Sequence, residues 1–247
     1  MLIALIDADI LTYSLPFSLQ EGYKEDATLP EGNERLLGPR IDEFINNVMK
    51  ATGADDYKVG INGKDNFRLR YPTYKANRKS MVKPILHHAA RDYLVEHHLA
   101  TVVDNMETDD WLAINQTEAL DNDYGFETVI CSIDKDLLQV PGKHYRWPIP
   151  QAKEPKAEHL LVTFDQGLAS LYRQALTGDT VDNIIGLKGY GPKKAEKLIH
   201  EELTEKEMYE TCLEHYEGKE RTEQELIDNM HQLYMLRYED DEWEKPL

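Results

Sequence analysis

Cysteine is scarce in this 247-residue chain, which contains only Cys131 and Cys212. Two cysteines are too few for a disulfide framework or a four-thiolate zinc site, so neither folding nor catalysis should depend on sulfur. Long apolar runs are also missing, since no stretch approaches the roughly 20 residues that a membrane-spanning helix needs. Because the N-terminus also has no basic leader, the sequence predicts a globular, cytoplasmic protein without membrane contact.

Positive charge is in short supply, with 28 lysines and arginines against 46 acidic residues and a net charge of −18. This balance argues at first against a polyanionic partner, because lysine and arginine dominate phosphate binding. The distribution of charge matters more than its sum. Seven basic residues and one acid lie between Lys64 and Lys83, whereas residues 204–247 hold fourteen acids and five basic residues. The first segment is a candidate phosphate track, and the acidic tail is expected to be a solvated surface.

Apolar strands alternate with amphipathic helices along the first two thirds of the chain. The predicted strands are 2–6, 57–61, 101–103 and 128–133, and the predicted helices are 41–53, 84–98 and 108–120. Residues 15–39 are polar and contain glycine and proline, which predicts an extended loop. The alternation indicates an α/β fold with a mainly parallel central sheet and helices on both faces. From about Phe164 the pattern is helical, which indicates a smaller all-helical subdomain.

Acidic residues follow the predicted strands, at the edge where ligands bind in parallel α/β sheets. Period-two spacing lets both carboxylates of a pair share one hard cation, although an isolated pair is more often a cap or a turn. Nine converging carboxylates would repel one another without divalent metal. Oxygen-only ligands favour Mg²⁺ or Mn²⁺, and two such ions can serve a nuclease or a phosphatase. The nine candidate metal ligands are Asp7, Asp9, Glu107, Asp109, Asp110, Asp134, Asp136, Asp179 and Asp182.

A basic and aromatic stretch from Asn66 to Lys79 carries the positive charge that such a site needs. A carboxylate cluster repels a phosphodiester, so a cation near the scissile phosphate must compensate. Lys75 and Arg78 are candidates for that cation, and Tyr74 is a candidate for stacking on an exposed base. The alternative interpretation is a solvated basic loop whose tyrosines pack on their own helix.

A glycine-rich turn followed by Pro192 and three lysines is the second strong indication of phosphate binding. The glycines permit a tight turn, and proline suits the first turn of a helix. A helix N-terminus with adjacent lysines binds phosphate without reading bases, whereas the alternative is a plain connection between helices. The candidate DNA-binding residues of this turn and of the basic stretch are Tyr74, Arg78, Lys79, Gly189, Gly191, Lys193, Lys194 and Lys197.

These segments, in this order, resemble the flap endonuclease and 5′→3′ exonuclease family, and in particular its short bacteriophage members such as the T7-like phage exonucleases. The resemblance runs from Asp7 to about Ile199, some three quarters of the chain. Its most specific pieces are Phe67-Arg68 with Tyr74-Lys75-Ala-Asn-Arg78, Glu107-Thr-Asp-Asp110, Ser132-Ile-Asp-Lys-Asp136, and Gly178-Asp-Thr-Val-Asp-Asn-Ile184 leading into Gly189-Tyr-Gly-Pro-Lys-Lys194.

The resemblance implies a fold similar to that of PIN-domain nucleases, with a helix-three-turn-helix element that grips duplex DNA. It implies a nuclease domain over 1–163 with a basic arm near 62–95, and a helical DNA-binding subdomain with the acidic tail over 164–247. The first metal would be held by Asp7 with Glu107, Asp109 and Asp110. The second would be held, partly through waters, by Asp134, Asp136, Asp179 and Asp182. Lys75 and Arg68 would contact the scissile phosphate, and the glycine turn would carry a monovalent cation such as K⁺.

The substrates that the resemblance implies are 5′ ends, flaps or gaps in DNA. The enzyme would act on them in phage DNA replication or in degradation of host DNA, and cleavage of RNA–DNA hybrids is left open.

One position departs from the family. Many relatives have an aspartate just after the second strand, where alignment on Phe67-Arg68 places Ile61. The first metal site is therefore expected to be one carboxylate poorer unless Asp65 substitutes, and Asp9 is less firmly assigned than Asp7.

Two other functions are compatible with parts of this sequence. A DNA-structure-binding protein that has lost catalysis would lack carboxylates in the second and third acidic clusters, which are present here. A PIN-type ribonuclease would use a similar set of acids on RNA, but such domains are often shorter and lack a segment like 186–199.

Overall fold

A six-stranded sheet lies at the centre of the computed structural model, which describes residues 1–78, 82–122, 125–149 and 153–247. The strands are β1 (Leu2–Asp7), β2 (Asp56–Asn66), β3 (Thr101–Asn105), β4 (Glu127–Cys131), β5 (Gly142–Arg146) and β6 (Glu158–Val162). Their order in the sheet is β3-β2-β1-β4-β5-β6. The first five strands are parallel, and β6 pairs antiparallel with β5. The carboxyl ends of β1, β2 and β4 therefore meet at one edge of the sheet.

Eight α-helices occur in these described parts of the chain. They are α1 (Leu11–Leu19), α2 (Leu37–Thr52), α3 (His87–His98), α4 (Thr108–Asp121), α5 (Phe164–Thr177), α6 (Pro192–Leu198), α7 (Glu205–Glu217) and α8 (Glu223–Leu233). None of the helices in those parts is both long and apolar enough to cross a membrane. Helix α2 buries Ile41, Ile45 and Val48 along one stripe and ends at Gly53, whose left-handed φ of 68° lets its N–H donate to the Met49 carbonyl.

Helices cover both faces of the sheet because successive residues of β1 point in opposite directions. Ala4 and Ile6 belong to an apolar cluster shared with α1, α2 and α3. Ile3 and Leu5 belong to a second cluster, on the other face, that includes Leu112 of α4. Each of these four β1 side chains is at most 6% exposed. The predicted α/β fold, a mainly parallel sheet with helices on both faces, is confirmed.

Helices α5 to α8 enclose a separate apolar cluster whose members include Tyr172, Met208, Tyr216 and Met230. The buried hydroxyl of Tyr216 donates to the Ala175 carbonyl at 2.7 Å, which satisfies its polar atom inside the cluster. A short antiparallel ladder, β7 (Gly178–Asp179) with β8 (Ile184–Ile185), connects α5 to α6. The helical pattern from residue 164 is present, while the division into domains at residues 163 and 164 stays a prediction.

The extended loop predicted over residues 15–39 is wrong at both ends, since α1 runs to residue 19 and α2 begins at residue 37. Pro16 lies inside α1, where proline has no N–H to offer the carbonyl four residues earlier. That carbonyl belongs to Thr12, and the His87 ring Nδ1 lies 3.1 Å from it. A side chain of α3 therefore replaces the missing helical donor, a compensation that no local sequence pattern reveals.

The acidic C-terminal tail is not simply a solvated surface. Beyond α8 the chain turns back, and Met235, Leu236 and Trp243 are each at most 6% exposed. Trp243 joins the apolar cluster of α5 to α8, and Met235 joins the cluster beneath α4. The residues from Gln232 to Arg237, called the C-terminal strap below, thus connect the helical part to the sheet.

Candidate active site

Acidic side chains from four segments of the chain line one pocket of about 130 Å³ at the carboxyl end of β1. Lys75 and Arg78 line the same pocket. Seven of the nine sequence-predicted metal ligands are present there, namely Asp7, Asp9, Glu107, Asp109, Asp134, Asp136 and Asp182. The structure therefore brings residues that are up to 175 positions apart in the sequence (182 − 7) into one small space.

The neighbouring strands β1 and β4 place Asp7 beside Asp134. The two strands pair in register up to Ile6 and Cys131, so both carboxylates emerge at the same edge. Ser132 joins them, because its hydroxyl donates to Asp7 Oδ2 at 2.8 Å and accepts the Asp134 N–H at 3.0 Å. This bridging serine fixes the distance between the first and third acidic segments.

The first turn of α4 brings Glu107 and Asp109 to the pocket. Asn62, at the pocket end of β2, accepts the Thr108 N–H at 2.7 Å and the Thr108 hydroxyl at 3.1 Å through Oδ1. Asp110 accepts the Glu107 N–H at 3.0 Å. Two side-chain caps thus hold this helix start, where the partial positive charge of the helix end favours carboxylates.

The aspartates at the centre of the pocket resist ionisation together. Burial, followed by the nearby charges of Asp9 and Asp134, raises the pKa of Asp7 to about 7. Burial and the charges of Asp7 and Asp134 raise the pKa of Asp109 well above its ordinary value. Burial and the charge of Asp134 raise the pKa of Asp136 to about 7. A cation among these groups would relieve both the repulsion and the cost of burial.

Two basic side chains of the 67–78 loop neutralise other carboxylates of the pocket. The Lys75 ammonium pairs with Glu107 and lies 3.7 Å from Asp182 Oδ2, while Arg78 donates to Asp182 Oδ1 at 2.6 Å. Burial would raise the pKa of Glu107, but Lys75 and Arg68 lower it below its ordinary value. The cations predicted to face the scissile phosphate are thus held next to the acids.

Lys135 is a third cation at the acidic cluster, and the sequence prediction did not include it. Its ammonium lies 2.7 Å from Asp179 Oδ2 and 3.0 Å from Asp136 Oδ1. Its position between Asp134 and Asp136 in the sequence is the feature from which its place at the acidic cluster could have been predicted. With basic side chains placed between the carboxylates, no group of three or more His, Cys, Asp or Glu residues within the described ranges stands ready to hold a metal ion.

The donor set nevertheless fits divalent Mg²⁺ or Mn²⁺. All acidic donors of the pocket are carboxylate oxygens, and Cys131 and Cys212 are buried elsewhere in apolar clusters. Carboxylates that repel one another in a buried space match a hard cation better than they match protons at neutral pH. Glu107, Asp136 and Asp182 carry lysine or arginine partners, with which a metal at those three carboxylates would compete.

Asp110 and Asp179, the other two predicted metal ligands, do not line the pocket. Asp110 is fully buried and accepts hydrogen bonds from both terminal nitrogens of Arg68. Asp179 Oδ1 accepts the Val181 N–H at 2.7 Å and the Asp182 N–H at 3.1 Å, and its Oδ2 pairs with Lys135. Both therefore lie next to the pocket without lining it, Asp179 linked to Asp136 through Lys135 and Asp110 bound to the Glu107 N–H.

Arg68 lies in a different place from the one predicted. The resemblance implied a contact with the scissile phosphate, but Arg68 is 1% exposed and does not line the pocket. Its remaining donors go to the carbonyls of Gln232 at 2.8 Å and Tyr234 at 2.5 Å. With Asp110 taking the other contacts, this guanidinium has no surface to offer a phosphate here.

Tyr74 is also placed where it cannot stack on a base as predicted. The residue is 5% exposed and joins the apolar cluster of the helical part. Its hydroxyl donates to Glu107 at 2.6 Å and lies 3.0 Å from Asp182 Oδ2. Tyr74 therefore lines the pocket and connects two of its acidic segments. Lys79, another predicted DNA contact, lies outside the described residues.

The glycine turn presents its predicted DNA-binding residues to solvent. Gly189 has a φ of 86°, which a residue with a side chain adopts only with strain, and Gly191 precedes the first turn of α6. The three lysines of α6 are exposed, and they are Lys193, Lys194 and Lys197. The Lys194 ammonium lies 3.4 Å from the centre of the Tyr190 ring. This exposed cationic turn has the form expected of a phosphate contact.

The departure at Ile61 has a clear structural context. Ile61 is fully buried in the apolar cluster of α1 to α3, and Asp65 is exposed on a neighbouring groove instead of the acidic pocket. Asn62 is the β2 residue that lines the pocket. Arg91 of α3, which the sequence prediction missed, donates to the Asn62 carbonyl at 2.6 Å and lies 3.6 Å from Asp9.

A known family matches most of this chain. Residues 3–153 match the family described as 5′-3′ exonuclease, N-terminal resolvase-like domain. Flap endonuclease Xni of Shewanella piezotolerans is 32% identical over 142 residues, which are 52% of this chain and 51% of that protein. DNA polymerase I of Caldicellulosiruptor bescii is 31% identical over 160 residues, which are 60% of this chain and 18% of that protein. The aligned part thus spans about half the length of the first relative and much less of the second.

Solved structures with a similar fold come from T5. The T5 D15 protein co-crystallised with metal ions superposes with a TM-score of 0.64 at 18% identity, covering 94% of this chain and 90% of that chain. A T5 D15 flap endonuclease variant in a complex with DNA and metal ions gives a TM-score of 0.62 at 17% identity, covering 94% and 89%. Identities this low establish a shared fold, and that fold extends over the helical part beyond residue 153.

Proposed function

The chain belongs to the 5′-3′ exonuclease N-terminal domain family, and on that premise we propose that it is a divalent-metal-dependent 5′-nuclease. It hydrolyses phosphodiester bonds in DNA at 5′ ends, flaps or gaps. The observation that carries the proposal is the single pocket in which seven carboxylates meet Lys75 and Arg78. The names of the relatives, a flap endonuclease and a T5 enzyme complexed with DNA and metal ions, agree with this chemistry.

The acidic residues of the pocket are the proposed metal ligands. Asp7, Glu107 and Asp109 serve a first ion together with Asp9, and Asp134, Asp136 and Asp182 serve a second. Bound Mg²⁺ or Mn²⁺ supplies an activated water and charge stabilisation for the in-line displacement at phosphorus. Asp110 and Asp179 support these ligands through the hydrogen bonds described above.

The basic residues divide into two proposed roles. Lys75 and Arg78, which pair with Glu107 and Asp182, would face the scissile phosphate with their positive charge. The lysines of α6 and the turn at Gly189 and Gly191 hold the phosphate backbone of the duplex, with K⁺ bound by carbonyls of that turn. We also propose that the enzyme acts in the cytoplasm of a phage-infected cell and that it cleaves RNA–DNA hybrids.

The test is cleavage of a 5′-labelled flap duplex by the wild type with Mg²⁺, by the wild type with EDTA, and by Asp134→Asn with Mg²⁺. Products are expected only in the first reaction, and their lengths separate exonuclease action from flap cutting. Asp26→Asn is the matched control, because Asp26 is an exposed aspartate outside the pocket.

A single-stranded RNA and an RNA–DNA hybrid of the same sequence form parallel arms of this experiment. Cleavage of the RNA alone would replace the proposal with a ribonuclease. Tight binding of the flap duplex without products in Mg²⁺ or Mn²⁺ would show a DNA-binding protein that has lost catalysis.

A further inference from the structure

Arg68 is 1% exposed and does not itself line the pocket, although one terminal nitrogen lies 3.8 Å from Glu107 Oε2. Its Nε donates to the Gln232 carbonyl, one terminal nitrogen donates to the Tyr234 carbonyl, and both terminal nitrogens reach Asp110. A buried arginine needs such a full set of acceptors, because an unpaired buried charge is strongly destabilising. The guanidinium is therefore fixed between α4 and the C-terminal strap.

Asp110 connects the fixed Arg68 guanidinium to the start of α4, whose residues line the pocket. One of its oxygens accepts the Glu107 N–H at 3.0 Å, and the other accepts the Leu236 N–H at 3.2 Å. The same carboxylate therefore holds both Glu107, the N-cap residue of α4, and Leu236 of the strap. Glu107 and Asp109, on either side of this contact in the sequence, line the pocket.

The C-terminal strap also forms part of the pocket wall. Gln232, Leu233 and Met235 line it together with the carboxylates. Gln139 holds the strap from below, with Nε2 donating to the Leu233 carbonyl at 2.9 Å and Oε1 accepting the Met235 N–H at 3.4 Å. The strap lies more than 75 residues beyond the segment that matches the family, which ends at residue 153.

We propose that Arg68 is a positioning residue, which sets the metal affinity of the acidic pocket by clamping Asp110 between the start of α4 and the C-terminal strap. The inference rests on the proposed nuclease function and deepens it. In this role Arg68 acts through Asp110, which holds the Glu107 N–H, and through its own 3.8 Å ion pair with the Glu107 carboxylate. Partners that orient metal ligands typically change metal affinity or activity by about 10–100-fold when they are lost.

A phosphate contact and a positioning role give different results in two measurements. A lost phosphate contact lowers the slope of log binding constant against log salt by about 0.9. A lost positioning contact leaves that slope unchanged and weakens metal binding. Arg68→Lys keeps the charge and loses the planar two-pronged contact with Asp110, so it should give a partial effect.

The experiment compares the full-length wild type with Arg68→Lys, Arg68→Met and Asp110→Asn. Mn²⁺ binding is measured without DNA by electron paramagnetic resonance, and flap-duplex binding is measured in Ca²⁺ at several salt concentrations. Arg221→Met is the control, since Arg221 makes one ion pair with Glu225, whose side chain is 43% exposed, on α8. Thermal unfolding of every variant shows which of them are folded.

The expected result is a rise of about tenfold or more in the half-saturating Mn²⁺ concentration for Arg68→Met, a smaller rise for Arg68→Lys, and an unchanged salt slope for both. If Arg68→Met does not fold, Arg68→Lys and Asp110→Asn carry the comparison. A lower salt slope with unchanged Mn²⁺ binding would overturn the positioning role in favour of a phosphate contact. Failure of the nuclease proposal would appear separately, as a wild type that binds Mn²⁺ and cuts no DNA.

Discussion

Replacing Lys135 with methionine should make the protein less stable without metal and more responsive to Mg²⁺. The Lys135 ammonium bridges Asp136 and Asp179, whose side chains are 12% and 3% exposed, while the lysine side chain itself is 58% exposed. In the absence of metal this lysine neutralises two buried acids. A metal held by Asp136, as proposed above, would compete with this lysine for Asp136 Oδ1.

The size of the stability loss follows from how exposed the lysine and its two carboxylate partners are. Solvent screening limits the contribution of an ion pair that involves such an exposed lysine, but the unpaired Asp179 would remain buried, so the cost is about 1–2 kcal/mol. For a chain of this length, that cost lowers the melting temperature in EDTA by about 2–8 °C. Removal of the competing cation should lower the dissociation constant for Mg²⁺ about tenfold, equivalent to about 1.4 kcal/mol of extra stabilisation at saturating Mg²⁺.

The assay is thermal unfolding of the wild type and of Lys135→Met in EDTA and across a Mg²⁺ titration. The rise in melting temperature caused by Mg²⁺ should be larger in the variant by about 3–6 °C. Lys143→Met is the control, because Lys143 pairs with Glu127 at 3.0 Å on an exposed surface. An equal rise with Mg²⁺ in the wild type and in Lys135→Met would refute the idea that this lysine and the metal compete.

Three further results are expected. Lys75→Met should lower the single-turnover cleavage rate by at least about 100-fold while the dissociation constant for DNA changes little, because its charge acts on the transition state; equal losses in both would contradict this role. Lys193→Ala with Lys194→Ala should weaken duplex binding and lower its salt slope by up to about 1.8, and an unchanged slope would exclude phosphate contacts there. Gly178→Ala should lower the melting temperature far more than Gly53→Ala: both positions have left-handed φ angles, of 70° and 68°, but only at Gly178 would a Cβ lie 2.2 Å from a backbone nitrogen.

The acidic pocket was predictable because strand ends are local features of a sequence. The apolar run that ends at Asp7 and the run that precedes Asp134 identify two buried strands, and parallel pairing brings their carboxyl ends together. All seven acids that share the pocket were therefore among the nine that residue type and spacing selected. The orientation of each carboxylate was not available, since it depends on partners such as Ser132 and Lys135.

The wrong predictions have a common physical origin in long-range contacts. Arg68 and Tyr74 occur in a basic stretch that has the composition of a phosphate track. Arg68 is enclosed by contacts with Gln232 and Tyr234, which are 164 and 166 residues away, and Tyr74 by the apolar cluster of α5 to α8. No window of sequence contains both partners, and the acidic composition of the tail suggested solvent instead. The helix at Pro16 was missed for the same reason, because its replacement donor lies on another helix.

The missing carboxylate on β2 can be located from the register of the sheet. Asp7 pairs with Gly60, and side chains alternate between faces along β2, so Ile61 faces the apolar cluster while Asn62 lies on the same face as Asp7. An aspartate at position 61 would therefore be buried among hydrocarbons and could not reach the metal. Asn62 occupies the position where an acid would enter the pocket, and its Oδ1 already accepts two hydrogen bonds from Thr108. The β2 residue that lines the pocket is thus a neutral cap of α4, so the proposed first metal would depend on the carboxylates of Asp7, Asp9, Glu107 and Asp109.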